Sequence, residues 1–194
     1  GWVGAKLVDT VLDPITITNH LLLALVIIGL IIYSAIQAYY AIAGNFESKS
    51  SYHPHTKPVI LGILICIFIE IIIGTEIRGG LDMSRKENPL IEGVILLKML
   101  GPFKYMHTIL GFTLLGLTIY LWKIVNDIKF ISSSFMVNSV NFIMGLIITQ
   151  IILGEALVFL EVKPLMQLFH MWFSSLLVGL SVASFTFYKI SMEK

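Results

Sequence analysis

The chain has 194 residues, of which 57% are hydrophobic and 13% charged, with a formal net charge of +1 and a mean hydropathy of +0.90. Soluble domains carry about 25% charged and roughly 45–50% apolar residues, so a soluble enzyme, a nucleic-acid binder and a disordered chain are all excluded. The single cysteine, Cys66, sits in an apolar run, which leaves no disulfide framework and no thiolate metal site. This is the composition of an integral membrane protein.

In chain order, the apolar segments Ile15–Ala43, Val59–Ile77, Pro102–Trp122, Phe135–Leu160 and Leu165–Tyr188 each approach or exceed the roughly 20 residues that span a bilayer. They are too long for strands and lack a two-residue alternation. The expected fold is an all-α integral membrane protein, a helical bundle of five transmembrane helices. Between the spans lie two polar loops, Gly44–Pro58 and Lys123–Ser134, and one longer segment, Arg78–Gly101. Within that segment Asn88-Pro89 reads as an N-cap and first-turn proline, and Gly101 as a closing glycine. Residues 89–100 are therefore expected to form a short amphipathic helix at the interface. Lysine and arginine divide almost evenly between the two sides, so charge bias does not orient the bundle.

Few ionisable groups interrupt the spans: Glu70 and Glu76 in the second, Lys104 at the mouth of the third, Glu155 in the fourth. Glu70 and Glu155 are costly in lipid and are expected to face the bundle, either as interhelical contacts or as proton carriers. Asn138, Asn141 and Gln150 read as interhelical hydrogen bonders, and His53 and His55 as members of a solvated loop.

A repeat organises the chain. Gly4, Pro14, His20, Gly29 and Leu30 recur at one constant offset as Gly154, Pro164, His170, Gly179 and Leu180. The third span carries the same pattern in Pro102, His107, Gly116 and Leu117, and Glu70-Ile-Ile-Ile-Gly74 matches Gln150-Ile-Ile-Leu-Gly154. The unit is a pair of helices, one ending in [EQ]-x3-G and the next beginning Pro…His. On this pattern residues 1–13 read as the tail of a helix whose earlier part lies upstream, and about three further helices are expected there.

Each histidine stands near the N-terminal end of its span, so His20, His107 and His170 are expected at one depth near one surface. Four residues on, on the histidine's own face, comes Ala24, Gly111 or Ser174, always small. Aliphatic residues follow a turn deeper. A histidine above a cleared and then apolar face suits a flat macrocycle ligated through imidazole, as haem iron commonly is. Zinc is disfavoured because no carboxylate or cysteine recurs beside the histidines at ligand spacing. Glycine at the ninth position, as Gly29, Gly116 and Gly179, would let the back of each helix pack closely.

Taken together, GWVG…DP-x5-H, EIIIGTEIRGG, the MHT-x-LG helix and QIILGE…KP-x5-H make the chain resemble the heme A synthase family. That resemblance implies an eight-helix fold of two four-helix halves, each giving two histidines near the outer surface. It implies that residues 1–43 are a truncated helix tail plus the last span of the N-terminal half. Residues 59–194 would be a C-terminal four-helix half binding haem b through His107 and His170. His20 would match a substrate-binding histidine at the haem O site, so that all three histidines are metal ligands. The catalytic glutamate would precede Gly1. Where many members carry arginine after the first C-terminal histidine this chain has Thr108, so Lys104, Arg78 or Lys98 would have to meet a haem propionate instead.

The implied reaction is oxidation of a methyl group of haem O to the formyl group of haem A for terminal oxidases, an oxidoreductase activity. The implied partners are the haem O substrate, membrane lipid, an electron donor, and haem O synthase or a second copy of the chain, with no nucleic acid. The implied location is a multi-pass position in the cell inner membrane, with the histidine ends facing outward. The alternatives are a b-type transmembrane cytochrome acting only in electron transfer, and a transporter or structural subunit in which the histidines carry protons or pack.

Overall fold

A computed structural model describes residues 14–43, 51–91, 93–160 and 162–192. The helix tail expected over residues 1–13 and residues 44–50 of the first polar loop lie outside the described residues. Among the described residues six helices follow in order: α1 (Pro14–Ala43), α2 (Thr56–Glu87), α3 (Gly93–Met99), α4 (Phe103–Val125), α5 (Ser134–Phe159) and α6 (Pro164–Met192). All but α3 are long and apolar enough to cross a membrane. No strand forms among the described residues; one isolated bridge joins Ser51 to Ile131. The protein is an all-α bundle of five membrane-length helices, as its sequence indicates.

Helices α2, α4, α5 and α6 form a ring, each touching the next, and α1 lies in the groove between α2 and α6. The ring buries rows at helical spacing: Ile60, Ile63 and Ile67 on α2, and Met136, Val140, Ile143 and Ile147 on α5. Against them stand Leu114 and Leu121 of α4 and Leu177 and Val178 of α6. Large apolar side chains such as Leu30, Ile109 and Phe142 cover the outside, which is the surface lipid would wet.

At the end away from the histidines the loops are tied together. Tyr52 donates to Ser133 Oγ at 3.2 Å, and Ser133 also caps α5 by accepting from the Met136 amide. His55 is not simply solvated: its Nδ1 lies 2.7 Å from the Tyr120 hydroxyl, which fastens the loop to α4.

The sequence places the end of the second span at Ile77, yet α2 continues to Glu87. The extra turns have their own support. Leu81 is buried with Leu96 of α3 and Val162 of the α5–α6 turn, forming a second small core. Arg85 donates to the Val162 carbonyl at 3.2 Å. Asn88, read as the N-cap of the short helix, instead closes α2: its amide and its side chain both donate to the Ser84 carbonyl. Pro89 lacks an amide hydrogen and stops the helix there. The short helix starts later, at Gly93, and Gly101 follows it with a positive φ of 67°.

Interior packing in a bilayer depends on close approach, because lipid tails are as apolar as leucine. The α1–α6 contact shows this. A Cβ on Gly179 would come to 3.3 Å from Ile32 Cδ1, and one on Gly29 to 3.5 Å from Val182 Cγ2. The third glycine of the repeat behaves differently, since a Cβ on Gly116 would meet nothing within 4 Å. The same sequence position thus joins two helices at α1 and α6 but faces outward at α4.

This contrast gives a test. Gly179→Leu should weaken the α1–α6 contact by about 1–3 kcal/mol, the usual penalty for overpacking a fitted interface. Gly116→Leu should change stability little. Thermal unfolding of both variants in detergent reads the difference; equal losses would show that the glycines do not act through this contact.

Candidate functional site

The site lies where α4 and α6 begin and α2 and α5 approach their ends. Pro102 and Pro164 precede or open the two helices, and each places its histidine a little over one turn further on. The structure brings His107 and His170 together, with ring centroids 6.2 Å apart and planes at 60°. Both line a cavity of about 270 Å³ enclosed by the four-helix ring.

Behind each histidine stands a glycine of the preceding long helix. A Cβ on Gly74 would sit 3.4 Å from His107 Cε1, and one on Gly154 would sit 3.7 Å from His170 Cε1. The glycine of each [EQ]-x3-G motif thus faces an imidazole edge. One turn before each glycine comes the polar member of the motif. The Glu70 carboxylate contacts His107 Nδ1 directly. Gln150, its counterpart, donates through Nε2 to the His170 carbonyl at 2.8 Å and also to Ser174 Oγ. His107 Nδ1, both Glu70 oxygens, His170 Nδ1 and Gln150 Oε1 are all buried and form no hydrogen bond of regular geometry, the Glu70–His107 pair meeting as a close contact.

The small residues one turn beyond the histidines, Gly111 and Ser174, both line the cavity. A Cβ on Gly111 would come to 3.5 Å from Glu70 Oε1. Below them the walls are aliphatic, with Ile67, Leu114, Ile147 and Leu177 among them. Arg78, Lys104 and Thr108 also line the cavity. Arg78 reaches Met171 Sδ at 2.7 Å and lies 3.9 Å from Asp82. Lys98 is not among the cavity residues.

His20 is placed apart from the other two. Its side chain is exposed, and the α1 residues that line the cavity are Leu21 and Leu25. Thr18, on the face of α1 that meets α2, donates to Thr75 Oγ1 at 3.0 Å and approaches Glu76. Among the acidic residues, Glu70 is largely buried in the bundle, whereas Glu155 lines the cavity yet is itself exposed. Asn141 accepts from Trp122 Nε1 of α4, and Gln150 bridges α5 to α6; Asn138 is exposed.

Sequence reasoning found the histidines but not the Glu70–His107 contact. Its signal was present in the match of Glu70 with Gln150, which differ only in whether the head group is acid or amide. Two imidazoles facing each other across an apolar cavity can ligate one metal from opposite sides. Among the described residues no group of three or more His, Cys, Asp or Glu could hold a bare metal ion.

A family model described as cytochrome oxidase assembly protein, COX15-CtaA, matches residues 1–182. Nothing among curated proteins and nothing among solved structures matches the chain. The match covers nearly the whole chain, including every helix that carries a motif histidine. The chain therefore belongs to the COX15-CtaA family of cytochrome oxidase assembly proteins, the heme A synthase family.

Proposed function

We propose that this protein acts in haem A formation, the oxidation of the haem O methyl group to a formyl group, and that His107 and His170 hold a haem b between them. The observation that carries this reading is the separation of the two rings. Two imidazoles bound to one first-row metal from opposite sides, each at about 2.0 Å and with the ligating nitrogen about 1.1 Å from its ring centre, have centroids about 6.2 Å apart. His107 and His170 stand at 6.2 Å. A tetrapyrrole leaves two axial positions open, and this pair offers two ligands.

When bound, haem b would supply a one-electron carrier. His107 and His170 would be its axial ligands, positioned by Gly74, Gly154 and the hydrogen bonds at their backs. Gly111 and Ser174 would leave the ligand faces clear, and the aliphatic walls would exclude water. Arg78 and Lys104 would meet propionate groups, the part that Thr108 cannot play. His20, on the outward face of α1, would offer one axial position to the haem O substrate. An electron donor is required, and haem O synthase or a second copy of the chain are the further partners we propose. The place of action would be the cell inner membrane, with the histidine ends of the helices outward.

A b-type cytochrome that only transfers electrons is the second reading. The exposed position of His20, away from the paired histidines, favours it, because the pair can bind haem without any substrate site. Extraction and mass analysis of haems from cells expressing the protein separates the two: haem A formation supports the synthase, and haem b alone supports the cytochrome. A colourless protein without Soret absorption would overturn both in favour of proton carriage or packing.

His107→Ala or His170→Ala should abolish low-spin haem absorption, while His20→Ala should retain it; bleaching by His20→Ala alone would overturn the pairing. Gly111→Leu and Ser174→Leu should block haem uptake at equal protein levels in the membrane, because leucine lowers the insertion cost of a span but would fill the cleared face. Haem per protein is the measurement, and full occupancy in both leucine variants would show that the face is not shaped for a macrocycle.

A further inference from the structure

The two halves of the site are built on one repeat, and they differ at one head group. Glu70 and Gln150 occupy matching places, each one turn before the glycine that abuts a histidine. Gln150 binds the His170 carbonyl and Ser174 Oγ, and no carboxylate pairs with His170 among the described residues. Glu70 instead places a carboxylate against Nδ1 of His107. Its side chain is only 12% exposed, and both its oxygens and His107 Nδ1 are buried, so water is largely kept from the contact. Nearby Lys104 and Arg78 line the same cavity, but no ion pair joins either of them to Glu70 among the described residues.

We infer that Glu70 is a positioning residue that fixes His107 with its proton on Nδ1 and makes that imidazole the more electron-rich of the two cavity ligands. The inference rests on the haem reading given above and goes beyond it by making the two ligands unequal. A carboxylate accepting from Nδ1–H leaves Nε2 as the unprotonated nitrogen and orients the ring. It also pushes electron density toward Nε2, which favours the more highly charged state of any metal bound there. Gln150 carries no charge to do this for His170, and its Nε2 donates instead to the His170 carbonyl and to Ser174 Oγ.

The test uses the full chain purified from membranes with its haem, and the variant Glu70→Gln. Glutamine is nearly isosteric and already serves at the matching place in the repeat, so the bundle should fold. Haem content should be retained, and the ferric-over-ferrous preference should fall about tenfold, which is an upward shift of about 59 mV in the one-electron midpoint. The reciprocal variant Gln150→Glu should move the midpoint the other way. An unchanged midpoint in Glu70→Gln, or loss of its haem at unchanged protein level, would overturn the inference. The contact can also be read without haem, through the ¹⁵N resonances of the His107 ring in the wild type and in Glu70→Gln. A shift of Nδ1 confined to His107 supports the inference, and identical spectra overturn it. A wild-type protein that takes up no haem would defeat the functional reading alone, since the ¹⁵N comparison still decides the role of Glu70.

Discussion

Inside a bilayer a polar side chain must find its partner within the protein, and here Glu70 and Gln150 find theirs on the next helix, one turn before the glycines that face the two histidines. Gly74 and Gly154 let α2 and α5 approach α4 and α6 closely enough for Glu70 and Gln150 to touch the next helix. The same contacts join the four-helix ring at the cavity and touch both of its histidines. Polar contacts of this kind are each worth only about 0.6–2 kcal/mol in membranes, so their value here lies in orientation more than in stability.

Much of this was legible in the sequence because it is periodic. Five apolar runs fix the spans, and the recurrence of Pro…His and [EQ]-x3-G marks which residues share a depth. Three histidines at one depth and the small residues Gly111 and Ser174 could be named from spacing alone, whereas the pairing of His107 with His170 comes from the family resemblance. What spacing could not give is azimuth between helices. His20 satisfies the same pattern as His107 and His170, yet α1 docks by its Gly29 face and Thr18, which turns His20 outward. Gly116 fails for the same reason, since whether a glycine joins two helices depends on which neighbour stands beside it.

The misjudged ends have a local cause. Asn88-Pro89 satisfies the rule for a helix start, and equally the rule for a helix stop. The choice is made by Leu81, which is buried only if α2 continues for another turn and meets Leu96 and Val162. Tertiary burial decides between two readings that local chemistry leaves equal.

Val162 shows how the histidine end of the bundle is held. Its φ of 58° lies in the left-handed region, which costs a β-branched residue about 1–2 kcal/mol. Burying its side chain beside Leu81 and Leu96 returns about 1.5–3 kcal/mol. Its amide donates to the Leu157 carbonyl, and its own carbonyl accepts from Arg85 and Gln167. A bent, twice-anchored residue therefore sets where α6 begins, and with it the height of His170 in the membrane. The vertical register of one ligand is thus fixed by a turn whose buried residue, Val162, also lines the cavity.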